Sequence, residues 1–85
     1  MYQLEYKKAA VKVLAKMPSG IRLKMRDELK MVAENPNTYT GDWKALKGTE
    51  YWRLRVGSYR AICELIDDRL VMLVLKAGPR GDVYK

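Results

Sequence analysis

The 85-residue sequence predicts a two-layer α+β domain spanning residues 1–85, with a helical hairpin covering a mainly antiparallel sheet. Three observations lead there. Apolar residues recur at helical spacing on both sides of Pro18. Three later runs, at about Tyr51–Val56, Tyr59–Ile66 and Arg69–Ala77, have strand composition and short polar connections. Tyr2 to Tyr6 alternates Tyr, Leu and Tyr with Gln and Glu, which is the pattern of a short N-terminal strand.

The first helix runs from Lys7 to Met17, where Ala10, Val13, Leu14 and Met17 share one face. Pro18-Ser19-Gly20 breaks it, and Ser19 is placed to cap the next helix. That helix puts Ile21, Met25, Leu29 and Val32 on one side and leaves Glu28 and Glu34 solvated. It ends at Asn35-Pro36-Asn37, because proline disfavours helical geometry in the residue before it. Thr38 to Gly48 reads as a loop pinned to the core by Trp43 and Leu46. Gly57-Ser58 and Asp67-Asp68 have the composition of tight hairpin turns, so the last three strands form an antiparallel meander. The nearly continuous apolar character of the last strand places it inside the sheet. The apolar faces of the two helices are expected to pack on Leu54, Val56, Ile62 or Cys63, and this last strand.

Seventeen Lys and Arg against ten Asp and Glu give a net charge of +7, which favours anionic partners or simply aids solubility. Cys63 is the sole cysteine and lies in an apolar run, where a small buried thiol is the expected role. The absence of histidine excludes zinc sites and catalytic triads built on it, and no metal or cofactor is expected. Neither a signal-peptide pattern nor an apolar run of membrane-spanning length is present, so the expectation is a cytoplasmic protein with no membrane role.

Chemistry concentrates in Arg53, Arg55, Arg60 and Arg80, with Lys76, Tyr51, Tyr59 and Tyr84 nearby. Alternation sends Arg53 and Arg55 to the solvent face of their strand. Arginines at fixed spacing on a rigid sheet suit phosphate and point to RNA or another polyanion. The same residues also suit a solvated face or an acidic protein. A nuclease made of these parts would hold the 2′-hydroxyl in line and neutralise charge on phosphorus, since arginine is a poor base.

The order of residues resembles the RelE/ParE superfamily, toxins of bacterial type II toxin–antitoxin systems. The resemblance lies in Leu46-Lys47-Gly48, the segment Trp52–Ile62, the Asp-Asp turn, the apolar last strand and Gly78-Pro79-Arg80 with Val83-Tyr84. It covers essentially the whole chain and implies a RelE-like fold. It also implies a cognate acidic antitoxin that wraps the toxin in a hetero-oligomer. RelE-like members act at the ribosome as mRNA interferases, cutting mRNA by 2′-hydroxyl attack on the adjacent phosphate. ParE-like members inhibit DNA gyrase.

Carried over by position, Arg53, Arg60, Arg80 and Tyr84 are the implied catalytic residues. Arg53, Arg55, Lys76 and Tyr59 are the implied RNA and phosphate ligands. Arg53 and Arg55 stand where lysine is frequent, and Pro79 where many relatives have a basic residue or histidine. The chain ends at Lys85, so no further C-terminal helix is expected. The favoured reading is a ribosome-dependent endoribonuclease. The alternatives are a gyrase inhibitor or a non-catalytic remnant that only binds an antitoxin.

Overall fold

The computed structural model describes residues 1–79. Within them the order is β1 (Gln3–Tyr6), α1 (Lys8–Lys16), α2 (Ser19–Glu34), β2 (Asp42–Ala45), β3 (Tyr51–Val56), β4 (Tyr59–Ile66) and β5 (Val71–Pro79). The strands form one sheet in the order β1-β5-β4-β3-β2. β1 pairs parallel with β5 and the other neighbours are antiparallel, so β5 is an inner strand of a mixed sheet.

The helices cover one face. α1 packs on β5, and α2 reaches β3 and β1. The core between the layers is Ala10, Met17, Met25, Leu29, Val32 and Ala33 from the helices, against Leu54, Val56, Ala61, Cys63, Met72, Val74 and Ala77 from the strands. Met25, Leu29, Leu54, Met72 and Val74 are wholly excluded from water. Burial of this apolar surface is the main driving term for such a fold. Isolation from water also pushes the Cys63 thiol up to about 12, so it sits in the core as a neutral apolar group.

The helical hairpin turns at Met17-Pro18, where both residues are extended. Met17 is held there by the proline that follows it. Pro18 occupies the cap position of α2 and its carbonyl accepts from the Arg22 amide at 2.9 Å. Ser19 therefore lies inside the helix and is not its cap. At the other end Asn35 has φ −159° and ψ 97°, the geometry that Pro36 imposes.

The segment expected to be a loop contains the edge strand β2. Trp43 stacks on Trp52 of β3 with ring centroids 5.2 Å apart and an 8° angle between planes. Trp43 packs against the core on the helix side. Leu46 lies outside that core and lines a cavity on the opposite face. Glu28 is half-buried rather than solvated, because the Tyr39 hydroxyl donates to its carboxylate. Burial first, then that carboxylate, push the Tyr39 hydroxyl well above its ordinary range. Gly41 lies so close to the Tyr39 side chain that a Cβ there would overlap the ring.

Two connections set the register of the meander. Gly57 has φ +59°, and a Cβ on it would come 2.9 Å from Ile21, so the two-residue turn favours glycine on both counts. The second connection is longer than the Asp-Asp turn expected. Ile66 faces Val71, which leaves Asp67 to Leu70 as a four-residue turn that Leu70 closes at φ 52°. The Leu70 carbonyl accepts from the Gln3 amide at 2.7 Å, and Asp67 accepts the Tyr2 hydroxyl at 2.5 Å. Both ties anchor β1 to this end of the sheet.

Candidate functional site

The face of the sheet away from the helices is built by strict alternation. In β3, Trp52, Leu54 and Val56 point to the helices, so Tyr51, Arg53 and Arg55 point away. The Gly57-Ser58 turn makes Val56 and Tyr59 partners, and therefore pairs Arg55 with Arg60. Arg53 pairs with Ile62, and Ile62 with Lys76 on β5. On the other side Lys44 of β2 pairs with Arg53, and Asp42 with Arg55.

Two adjacent rows result. One runs Lys44–Arg53–Ile62–Lys76 and the other Asp42–Arg55–Arg60–Gly78. They lie two residues apart along each strand, about 7 Å. Five basic side chains and one carboxylate share this patch, a concentration of positive potential that attracts polyanions.

The arginines are not equivalent. Arg53 was expected on the solvent face with Arg55, yet its side chain is only 17% exposed. Its guanidinium donates to Asp42, reaching diagonally from β3 to β2, and its Nε is buried without a partner. Arg53 is thus largely neutralised and held rigid. Arg55 is exposed, with its Nε donating to the Gly57 carbonyl at 3.4 Å. Arg60 is half-buried beside it. Among the described residues neither Arg55 nor Arg60 has a salt-bridge partner, whereas Arg53 is paired with Asp42.

Lys76 is exposed on the same face, as expected. Tyr59 is not on it. As the partner of Val56 it turns to the helix side and packs on the core, away from the arginine face where it was expected. Arg80 and Tyr84 lie outside the described residues. Sequence reasoning missed Lys44 and Asp42, both carried by β2. The signal was the alternation of Trp43 and Ala45 with Asp42 and Lys44, obscured by glycines at positions 41 and 48.

A protein-family profile described as the ParE toxin of the type II toxin–antitoxin system, parDE, matches residues 4–84. The chain belongs to this toxin family. Within the wider RelE/ParE superfamily the toxin is RelE-like, as its relatives indicate. It is 27% identical over 85 residues to the mRNA interferase toxin RelE of Escherichia coli strain K12, covering 98% of this chain and 90% of that protein. The crystal structure of the isolated E. coli RelE toxin superposes with a TM-score of 0.80 at 27% identity, covering 99% of this chain and 92% of that one. An archaeal RelE–RelB complex from Pyrococcus horikoshii matches with a TM-score of 0.81 at 27% identity, over 95% and 97% of the two chains. The expected RelE-like α+β fold is therefore correct, with the parallel β1–β5 pair and the edge strand β2 as its added details. No helix among the described residues is long and apolar enough to cross a membrane.

Proposed function

We propose that this toxin is a ribosome-dependent endoribonuclease that cuts translated mRNA. The observation that carries the reading is the Arg55–Arg60 pair, two guanidiniums without acidic partners among the described residues, side by side on a rigid sheet. Similarity to a relative named mRNA interferase RelE supports the same activity. In this reading the 2′-hydroxyl attacks the adjacent phosphorus, the bond to the 5′-oxygen breaks, and a 2′,3′-cyclic phosphate forms. Arg60 contacts the scissile phosphate and Arg55 the backbone beside it. Arg53, paired with Asp42, is held rigid in the next row and adds little net charge of its own. Preorganised cations of this kind stabilise the charge that grows on the phosphorane oxygens. Arg80 and Tyr84 remain proposed for the leaving oxygen and for orienting a nucleotide. Free RNA is expected to be a poor substrate, because the ribosome supplies the in-line geometry.

An acidic antitoxin is proposed to cover part of the arginine face. The solved RelE–RelB complexes support a partner of this kind. Its affinity should fall with added salt and on charge reversal of Arg55 and Arg60. Affinity indifferent to both would remove the electrostatic version of this contact.

The match to a family described as ParE toxin favours gyrase inhibition as the second reading. Induced expression followed by primer extension on translated messages separates the two. Cuts inside translated codons support the nuclease. Intact messages together with gyrase-linked DNA breaks support the alternative and reject the nuclease.

A further inference from the structure

A cavity of about 450 Å³ opens on the arginine-bearing face, beside the Arg53–Ile62–Lys76 row. Its floor is an irregularity in the sheet. Ile62 faces Lys76 while Cys63 faces Val74, so Leu75 is an extra residue on β5. Such a bulge re-aims side chains, and bulges are frequent next to active sites. Here Leu75 and Ile62 both line the cavity. Ile62 is only 4% exposed, yet it lies outside the core under the helices.

One wall is Tyr51, backed by Leu46, whose amide donates to the Tyr51 carbonyl at 2.9 Å. Lys7, Ala9, Thr49 and Lys76 complete the lining. Lys7 is held in place because its own amide donates to the Val74 carbonyl at 2.9 Å. The site therefore has an apolar floor, an aromatic wall and two ammonium groups, with a volume in the range of small-ligand pockets. Its Ile62–Lys76 edge lies one row, about 7 Å, from the Arg55–Arg60 pair on the same rigid sheet, and Tyr51 lies two rows away, about 13 Å.

We infer that this cavity receives the nucleobase next to the phosphate gripped by Arg55 and Arg60. The base stacks on Tyr51 over Ile62 and Leu75, and Lys7 and Lys76 meet the following phosphate. An aromatic ring flanked by phosphates is the ligand that uses the apolar slot, the tyrosine and the lysines together. This inference rests on the endoribonuclease reading and adds a determinant of nucleotide preference to it. Arg55 and Arg60 read only the backbone, whereas the cavity touches the base.

The test is an amide chemical-shift titration of the full chain with ribonucleoside 3′,5′-bisphosphates, using inorganic pyrophosphate at matched ionic strength as control. The bisphosphates should move the amides of Leu46, Tyr51 and Lys76 together, and pyrophosphate should not. Ile62→Trp, which fills the slot, should weaken the bisphosphate at least tenfold. Tyr51→Ala, at an exposed position, should weaken it several-fold and serves if the tryptophan variant does not fold. Equal shifts with pyrophosphate would reduce the site to a phosphate contact and overturn the base pocket. Shifts produced only by the antitoxin would make the cavity a protein-docking site and overturn it as well. The titration needs no ribosome. Shifts retained in a chain that cuts no message would keep the pocket and reject the nuclease, whereas cutting without shifts would reject the pocket alone.

Discussion

The same strands present two unlike faces. Toward the helices, Leu54, Ala61, Cys63, Met72 and Val74 are closed to water and belong to one hydrophobic cluster. At neighbouring positions on the same strands, Arg53, Arg55, Arg60 and, past the bulge at Leu75, Lys76 turn the other way. The first face holds the chain together and the second leaves charge unneutralised at its surface. Arg53 shows how far that division is managed. It is tied to Asp42 and shielded, whereas Arg55 and Arg60 remain without acidic partners among the described residues. Charge of one sign gathered on one face opposes folding by self-repulsion, and a separate apolar face lets the fold tolerate it.

The contrast can be broken most severely from the helix side. Leu29 has no exposure, so Leu29→Ala should cost about 2–5 kcal/mol, read as a lower denaturation midpoint. An unchanged midpoint would mean that this side is not the stabilising one. On the open side Arg60→Ala should leave that midpoint nearly where it is. It should lower cleavage of translated mRNA about a hundredfold, equivalent to roughly 2.7 kcal/mol of transition-state stabilisation. Primer extension measures the cleavage. A variant that unfolds, or that cuts at full rate, would erase the division of labour between the faces.

Asp42→Ala probes the one place where the open face stabilises itself. It leaves the Arg53 guanidinium mostly buried without its carboxylate. Asp42 is itself partly exposed, so solvent screening limits the loss to about 1 kcal/mol. Asp42→Asn keeps an acceptor and should recover part of it in the same urea titration. Equal stability of all three proteins would show that the pair contributes nothing.

The smallest effect is alkaline. An unfolded Cys63 thiol ionises near its ordinary range, while the buried one holds its proton to about 12. Between those values the unfolded state binds fewer protons, so stability should fall as pH rises. Tyr2, Tyr6 and Tyr39 are all shifted upward and act in the same direction. Cys63→Ala should therefore flatten, without abolishing, the decline of the urea midpoint above pH 9. A slope identical to that of the parent chain would show that the buried thiol is not coupled to folding.

Periodicity, proline placement and turn composition are local properties, and they determine much of this protein. They place both helices, the limits of β3 and β4, and the exposure of Arg55. They also contain a signal that was passed over. A two-residue turn after Val56 requires Tyr59 to share its face, which removes Tyr59 from the arginine patch. What the chain does not encode locally is who pairs with whom. Only the sheet order puts β1 parallel against β5 and gives β2 an edge position. Only the β2–β3 register brings Asp42 within reach of Arg53. The bulge at Leu75 likewise arises from a mismatch between two strands, and neither strand reveals it alone. Hydrogen-bonded pairing across distant segments decides these features, because cross-strand neighbours are made by register rather than by sequence spacing.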